Sequence, residues 1–297
     1  MSKKNTTKSL ISAQYQRENR MLSLWKRLRQ NKGAVVGLAV LILLLLAMIY
    51  SFFFISFEQI TALNGKLMFA KPSLAHPFGC DELGRDLMLR CLYGSRYSIA
   101  VGLGSVAIGV IFGTFFGAIA GYFGGWIDQV IMRISDVMSS LPGTLLGMVL
   151  MSILGASLTN LIIAIGFSNI AGFIRMGRAS VLTTASNEYV ESARAIGMSD
   201  LRIIFSQVLP NSLSPLIVTA TSRLSTSVLS AAGLSFLGFG VPQPKPEWGA
   251  MVSGSRNYLQ LAPHMCYFPG LFIMLLAFSC VLLGDGLRDA LDPKLNK

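Results

Sequence analysis

The residues that could perform chemistry in this 297-residue chain are few and scattered along it. It has two histidines and four cysteines, and neither type occurs in a CxxC or HExxH spacing. Cys80 and Cys91 lie near His76, which leaves a disulfide or a metal site open, but unpaired, inert thiols are the favoured interpretation. The only Gly-Lys pair, Gly65–Lys66, precedes a leucine, so no GxxxxGK[ST] loop is present to hold a triphosphate. Without clustered carboxylates for acid–base chemistry, we predict no enzymatic activity, no cofactor and no metal.

A second group of polar residues recurs at helical spacing within an apolar stretch. The group consists of Thr219, Ser222, Arg223, Thr226 and Ser230. Arg223 lies about 12 Å into this stretch from Pro215, at 1.5 Å per residue, and an ionisable side chain at such depth usually faces a bundle interior or a water-filled cavity. The hydroxyls alone could simply bond their own backbone. With Arg223 included, we predict that this face lines a translocation path.

The elements that must position these residues are membrane-spanning helices. Mean hydropathy is +0.59 and 13% of residues are charged, whereas about a quarter are charged in soluble domains. A spanning helix needs about 20 mostly apolar residues. Six stretches satisfy this length: 33–54, 97–123, 131–155, 158–177, 213–237 and 266–284. We therefore predict an all-α polytopic membrane protein with six transmembrane helices, the third of them interrupted by Asp136 and Pro142.

The placement of lysine and arginine predicts the orientation of these helices. Nine of them lie in residues 1–32; with the N-terminus inside, the cytoplasmic segments hold 15 and the external segments seven. We therefore expect a cell-membrane protein with both termini in the cytoplasm. The net charge of +11 then reflects topology and attraction to anionic lipid, so membrane lipid is an expected partner and nucleic acid is not.

The predicted spans divide the chain into five parts. Residues 1–32 are a basic cytoplasmic tail with an interfacial helix near 22–28, and residues 33–54 are the first transmembrane helix. Residues 55–96 are an external connection with a turn at 76–79, followed from Asp81 by an amphipathic helix that lies on the membrane or docks a partner. Residues 97–285 are a five-helix core containing a cytoplasmic hairpin at 187–210, and residues 286–297 are a cytoplasmic tail.

Small residues repeat at every fourth position in the second predicted span. They are Gly109, Gly113, Gly117 and Gly121, preceded by Ser105 and followed by Gly125. Residues four apart share one helix face, and helices in lipid associate closely where small residues let their backbones approach. The pattern predicts a neighbouring helix packed at short distance, either in this chain or in a partner.

A polar stretch at 187–210 separates the fourth and fifth predicted spans. Asn187 is suited to cap a first helix, and Gly197 to end it. Ser199 can cap a second helix with Asp200 in its first turn, and Pro210 should end that helix. The apolar residues of the second helix, spaced as one stripe, are Leu201, Ile204, Phe205, Val208 and Leu209. Such a hairpin could lie on the membrane, pack under its own bundle, or insert into a groove on another protein.

The segment "PKPEWGAM" (244–251) belongs to the last external connection. Its prolines predict a stiff, extended chain. Two interpretations stay open, because Trp248 is also suited to the membrane interface. Either Glu247 and Trp248 form a docking surface for a protein partner, or Trp248 only anchors the segment.

The hairpin resembles the EAA motif of ABC importer permeases, the coupling loop that docks into an ATP-binding subunit. "ESARAIG" (191–197) matches at Glu191, Ala193 and Gly197 and "VLP" (208–210) at the far end, while Ser192 and Gln207 depart from the motif. Four further segments resemble dipeptide, oligopeptide and nickel permeases: "HPFGCDELGRDLMLRCLYGSRYS" (76–98), "GYFGGWIDQVIMRISDV" (121–137), "LSFLGFGVPQPKPEWGAM" (234–251) and "GDGLRDALDPKL" (284–295). The resemblance covers residues 29–295 and is to the "C" type of the two paralogous permease subunits.

The resemblance implies a type I ABC importer permease fold and a division of labour. An extracytoplasmic solute-binding protein would deliver the solute, a paralogous permease subunit would complete the path, and two ATP-binding subunits would drive it. The ATPase-coupling residues would be Glu191, Ala193, Gly197, Ser199 and Asp200. Glu247 and Trp248 would then dock the solute-binding protein.

The expected substrates are di- or oligopeptides, with glutathione, nickel or a metal chelate as alternatives within the same family. The rival class is an ion-coupled secondary transporter, for which inverted repeats and helices broken near mid-membrane are expected. The two halves of the sequence show no repeat, and Asp128, Asp136 and Asp285 lie near the ends of predicted spans.

Overall fold

The structure, a computed structural model, describes residues 20–291, so most of the predicted N-terminal tail and residues 292–297 lie outside it. The described residues form helices joined by turns. In chain order the helices are α1 (Arg20–Gln30), α2 (Lys32–Phe54), α3 (Phe57–Thr61), α4 (Leu87–Phe123), α5 (Gly125–Ser140), α6 (Gly143–Leu154), α7 (Leu158–Ala185), α8 (Glu188–Ala195), α9 (Asp200–Asn211), α10 (Leu213–Phe239), α11 (Trp248–Ser255) and α12 (His264–Leu291). Three of them contain one π-helical turn, at Gly109–Gly113 in α4, Ile204–Val208 in α9 and Ser235–Phe239 in α10.

The membrane-spanning helices agree in number with the six predicted. Four single helices, α2, α4, α7 and α12, are long and apolar enough to cross a bilayer, and two bent pairs bring the count to six if each pair is one span. The pairs are α5 with α6, bent by 87°, and α9 with α10, bent by 63°. The fold is therefore that of an all-α polytopic membrane protein.

The third predicted span, 131–155, corresponds to the bent pair α5 and α6. The chain breaks at Leu141 and Pro142, where both residues have extended backbone angles, and Pro142 stands at the start of α6. A proline disfavours helical geometry in the residue before it, so Leu141 ends α5 and the chain turns sharply. Pro142 is confirmed as an interruption of this stretch, whereas Asp136 lies inside α5 and does not interrupt it.

The amphipathic helix predicted from Asp81 is also absent, because α4 begins only at Leu87. Asp86 caps it by accepting a hydrogen bond from the Leu89 amide at 2.9 Å. Before it, the Arg85 guanidinium bonds the buried Asp81 carboxylate at 2.6 Å, which holds residues 81–85 in a compact turn. At 1.5 Å per residue, the 37-residue α4 is about 55 Å long. A bilayer core is about 30 Å thick, so α4 is longer than a straight crossing requires.

The glycine face of α4 packs against α7 of the same chain. A Cβ atom on Gly113 would lie 2.7 Å from the Ile170 carbonyl oxygen, and one on Gly117 would lie 2.5 Å from that of Ile174. Gly109 and Gly121 meet α7 just as closely. Backbone-to-backbone contact at this distance leaves no room for a side chain, so the neighbour left open by the sequence is α7.

α7 also holds two further helices through polar contacts. The Arg178 guanidinium binds both oxygens of Asp128 on α5, with the Nη2 contact at 2.6 Å. The buried Asn169 amide donates to the Ser227 hydroxyl of α10 at 2.9 Å. Interhelical hydrogen bonds of this kind help hold helices together in lipid, where apolar contacts alone provide little drive.

We predict that Gly117→Ala lowers stability whereas Gly233→Ala does not. The added methyl at position 117 has to push α7 away, at a cost of about 1–3 kcal/mol. Gly233 lies within α10 with no atom within 4 Å of the corresponding position, so alanine there gains helix propensity. The thermal unfolding midpoint of the protein in detergent measures both effects. Equal midpoints for the two variants would contradict the packing described here.

Candidate functional site

The hairpin formed by α8 and α9 turns at Gly197, as predicted. Gly197 has a φ of +82°, a left-handed conformation that favours glycine. Its amide donates to the Arg194 carbonyl at 2.9 Å, and the Met198 amide donates to the Ala193 carbonyl at 3.1 Å. These two bonds form a Schellman motif, which satisfies the last carbonyls of α8 and fixes the direction in which α9 leaves.

The side-chain caps predicted for the hairpin are not formed. Asn187 and Ser199 occupy the N-cap positions of α8 and α9, but neither side chain bonds its own helix. The Asn187 amide instead donates to the Thr184 carbonyl at 2.9 Å, at the end of α7. α9 also continues through Pro210 to Asn211, so the prediction that Pro210 ends this helix is wrong.

The apolar stripe predicted for α9 is correct only in part. Ile204 and Val208 are buried, but Ile203 is buried beside them, and Leu201 and Phe205 point outward. The packing of the hairpin on α4 and α7 decides which side of α9 is buried, and a π-helical turn at Ile204–Val208 also interrupts the regular 3.6-residue spacing.

The inner side of the hairpin packs on the ends of α4 and α7. Its buried residues, Val190, Ala193, Ile203, Ile204 and Val208, form one cluster with Ala118, Tyr122 and Val181. Ala193 is therefore an interior residue of the hairpin and cannot itself contact a partner. Glu191 and Ser199 are exposed.

A polar cluster joins both helices of the hairpin to α4. The Tyr122 hydroxyl, one residue before the end of α4, donates to the Asp200 carboxylate at 2.7 Å. The Arg194 Nε donates to the same hydroxyl at 3.3 Å, and its guanidinium lies 4.9 Å from the Tyr122 ring centroid. Arg194 belongs to α8 and Asp200 to α9, so one tyrosine holds the two helices together. This role of Tyr122 has no local sequence signal.

The outer side of the hairpin is apolar and exposed. Ile196 is 79% exposed, Leu201 is 64% and Phe205 is 57%. Leu201 and Phe205 are four residues apart, on one side of α9, and Ile196 lies at the turn. The hairpin therefore packs on its own bundle with one side and presents apolar side chains on the other.

Only part of the predicted polar face of α10 lines a cleft in the structure. Thr219, Ser222 and Arg223 line an open cleft of ≈ 480 Å³, whereas Thr226 and Ser230 lie outside its lining. The hydroxyls of Thr219, Ser222 and Thr226 each donate to a carbonyl of their own helix. Arg288, at the far end of the chain, lines the same cleft and was not identified from the sequence.

Glu247 and Trp248 are interior residues, which contradicts both interpretations of their side chains. Glu247 is 2% exposed and Trp248 is fully buried. The Glu247 carboxylate accepts hydrogen bonds from the Gly249 and Ala250 amides at 2.9 and 2.8 Å, and from Ser235 at 2.9 Å. The Trp248 indole donates to the Cys91 carbonyl at 2.8 Å. These residues thus fasten α11 to α4 and α10.

The four cysteines are free thiols, and three of them, Cys80, Cys91 and Cys280, are buried. Burial, followed by the nearby Asp86 and Asp81 carboxylates, raises the pKa of the Cys80 thiol. His76, at 2.7 Å from Asp86, pairs with that carboxylate. Within residues 20–291, the structure contains no group of three or more His, Cys, Asp or Glu side chains placed to hold a metal ion.

Two family models match the chain. Residues 113–297 match "Binding-protein-dependent transport system inner membrane component". Residues 21–72 match "N-terminal TM domain of oligopeptide transport permease C". The first match includes the hairpin, the cleft, and the Glu247 contacts with Gly249, Ala250 and Ser235.

Curated relatives and a solved structure agree with these matches. The chain is 44% identical over 271 residues to the glutathione transport system permease protein GsiD of Salmonella typhimurium, covering 91% of this chain and 89% of the relative. Identity and coverage are the same for the dipeptide transport system permease protein DppC of Alkalihalophilus pseudofirmus. The fold is similar to a chain of the MetNI methionine ABC transporter in an inward-facing conformation, with a TM-score of 0.57, 19% identity, and coverage of 69% of this chain and 98% of that one.

We predict that Glu247→Ala destabilises the protein much more than Glu58→Ala. Truncation at 247 leaves two amides and the hydroxyls of Ser98 and Ser235 without this acceptor, at a cost of about 1–3 kcal/mol for each buried group left unpaired. Glu58 is an exposed first-turn residue of α3, so its loss should cost only a few tenths of a kcal/mol. The unfolding midpoint in detergent reports the difference. A shift no larger than that of Glu58→Ala would show that the carboxylate is not a structural acceptor.

Proposed function

Because this chain belongs to the family of binding-protein-dependent transport system inner membrane components and is the permease subunit of an ABC importer, we propose that its α8–α9 hairpin couples it to ATP-binding subunits. Permeases of this family work with ATPase and solute-binding partners. We infer that this chain hydrolyses no ATP itself and that two ATP-binding subunits supply the energy. A paralogous permease subunit completes the path.

The observation that carries this proposal is the exposed apolar side of the hairpin. A helical segment that inserts into a groove on another protein uses apolar anchors spaced by three or four residues. Leu201 and Phe205 have this spacing, and Ile196 adds a third exposed anchor at the turn. Glu191 and Ser199, also exposed, would border the contact. Since the opposite side of the hairpin is already packed on α4 and α7, the exposed side is the one left for a partner.

The Tyr122 cluster explains how force on the hairpin would reach the membrane helices. Arg194 and Asp200 both bond the Tyr122 hydroxyl, and Gly197 fixes the angle between α8 and α9. A partner that moves the hairpin therefore pulls on the end of α4. Because α4 packs on α7 by direct backbone contact, the two helices would move together. Ala193 and Gly197 act in this scheme by shaping the hairpin, and Asp200 by anchoring it.

The orientation proposed for this multi-pass inner-membrane protein places the hairpin and both termini in the cytoplasm. The excess of lysine and arginine in residues 1–32 supports this orientation. The segments before α4 and around α11 then face outward, where the solute-binding protein would dock. Since Glu247 and Trp248 are buried, the docking surface has to come from neighbouring exposed residues of these segments.

We propose di- or oligopeptides as the cargo, with glutathione, itself a small peptide, as the alternative. The relatives named for dipeptide and glutathione transport are 44% identical to this chain, so their names support both and do not separate them. A nickel or metal-chelate permease is a weaker candidate, since neither relative is named for a metal. Thr219, Ser222 and Arg223 would face the cargo path.

We predict that Leu201→Asp and Ile196→Asp separate the permease from its ATP-binding subunits. Both side chains are exposed, so the chain should still insert and fold, while a charge in an apolar groove opposes docking. The amount of ATP-binding subunit that copurifies, and its ATP hydrolysis, should fall at least about tenfold, the equivalent of 1.4 kcal/mol.

Leu63→Asp is the matched control, because Leu63 is 70% exposed on the external connection. It should leave the copurified subunit unchanged. Normal copurification and ATP hydrolysis in both hairpin variants would rule out this side of the hairpin as the coupling surface.

We predict that Tyr122→Phe weakens coupling while leaving assembly intact. The change keeps the ring but removes the hydroxyl that Arg194 and Asp200 share, each bond to a charged group being worth about 1.5–3 kcal/mol. In liposomes, the stimulation of ATP hydrolysis by loaded solute-binding protein should fall several-fold. Tyr50→Phe, on the exposed face of α2, is the control. Full stimulation in Tyr122→Phe would remove the cluster from the coupling mechanism.

A further inference from the structure

The cleft beside α10 contains two arginines brought together from distant parts of the chain. It opens between the N-terminal half of α10 and the C-terminal end of α12, with Met176 of α7 completing the wall. Arg223 and Arg288 both line it, together with Thr219, Ser222 and Val218. At ≈ 480 Å³, it has the volume of an ordinary small-molecule site, which is about 300–1,000 Å³.

Among the residues that the structure describes, the cleft has positive charge without a matching carboxylate. None of its lining residues is acidic, and neither arginine forms an ion pair with an Asp or Glu of the part of the chain that the structure describes. Arg175 and Arg178 of α7, by contrast, lie within 3.8 and 2.5 Å of Asp136 and Asp128. Asp285, three residues before Arg288 on α12, forms no ion pair within residues 20–291.

The absence of a side chain at Gly172 of α7 leaves room for Arg223 at this position. Its guanidinium lies across Gly172 of α7, where an added Cβ would be 2.8 Å from Nη2. A residue larger than glycine would push the guanidinium away. A cation kept within a membrane helix bundle is costly unless an anion approaches it, and guanidinium groups bind carboxylates through two parallel hydrogen bonds.

The other lining residues suit a ligand that has N–H groups and apolar side chains as well as a negative charge. Thr219 and Ser222 each donate their hydroxyl proton to their own helix, which leaves oxygen lone pairs free to accept from a ligand N–H. Met176, Val218 and Leu291 supply apolar surface. A carboxylate next to amide N–H groups and apolar side chains is the chemistry of a short peptide's C-terminal end.

We propose that Arg223 and Arg288 bind the carboxylate of the peptide cargo near the inner opening of the path. This inference rests on the proposed function of the chain and adds to it a specific cargo-binding site within the path. The shared chemistry is an oxyanion, and the phosphate of an anionic lipid is the other source of it. The test therefore has to separate a peptide carboxylate from a lipid phosphate.

The test uses the complete complex of permease and ATP-binding subunits in nanodiscs of phosphatidylcholine, without solute-binding protein. Saturation-transfer NMR measures binding of Ala-Phe and of its C-terminal amide, Ala-Phe-NH₂. Ala-Phe should bind, and its Kd should rise at least about tenfold in Arg223→Gln and in Arg288→Gln, since each substitution removes a charged donor to the carboxylate. Ala-Phe-NH₂ should bind weakly to all forms.

Arg133→Gln is the matched control, because Arg133 is an exposed arginine of α5 outside the cleft, and it should leave the Kd of Ala-Phe unchanged. Equal binding of acid and amide, or a Kd unaffected by either cleft substitution, would overturn the proposal. So would native mass spectrometry showing that phosphatidylglycerol, retained through both arginines, displaces Ala-Phe. Copurification of the ATP-binding subunits is scored in the same samples, so failure of the coupling function is seen separately from failure of the cleft.

Discussion

The contact between the glycine face of α4 and the backbone of α7 is the constraint on which the other features depend. Helices in lipid gain little from burying apolar side chains, so their arrangement is set by close packing and a few polar contacts. At Gly113 and Gly117 the two backbones are too close for any Cβ. This fixes the end of α4, and with it Tyr122, relative to α7. The hairpin packs on the ends of these two helices. α7 also fixes the positions of α5 and α10 through the hydrogen bonds of Arg178 and Asn169.

Features governed by local backbone chemistry could be predicted from the sequence. Gly197 was identified because a helix ending in a left-handed residue favours glycine, and the α4 glycines because their spacing places them on one face. The six membrane segments follow from hydropathy. The interruption at Pro142 was visible too, although the sharp 87° bend that it accompanies was not.

Features that depend on tertiary structure could not be predicted. The side of α9 that faces the bundle depends on how the hairpin packs on α4 and α7, and this packing leaves Leu201 and Phe205 exposed. Trp248 has a side chain that suits a membrane interface or a protein interior equally well, and only the position of the Cys91 carbonyl decides between them. Arg288 joins Arg223 because α12 packs on α10, and no short-range pattern connects them. The pair of short helices joined at Gly197 was therefore predicted correctly, while the side of α9 that packs inward was not.

α4 begins at Leu87, close to the buried Asp81–Arg85 pair, and ends one residue after Tyr122 at the hairpin. A single rod of about 55 Å thus reaches from one side of the membrane to the other. Tilting it by about 10° around the hairpin end would carry the far end sideways by roughly 10 Å. In the proposed importer, movement of the hairpin by the ATP-binding subunits and movement of the external end of α4 are therefore parts of one rigid-body tilt. No relay of small side-chain shifts across the bilayer is needed to synchronise them.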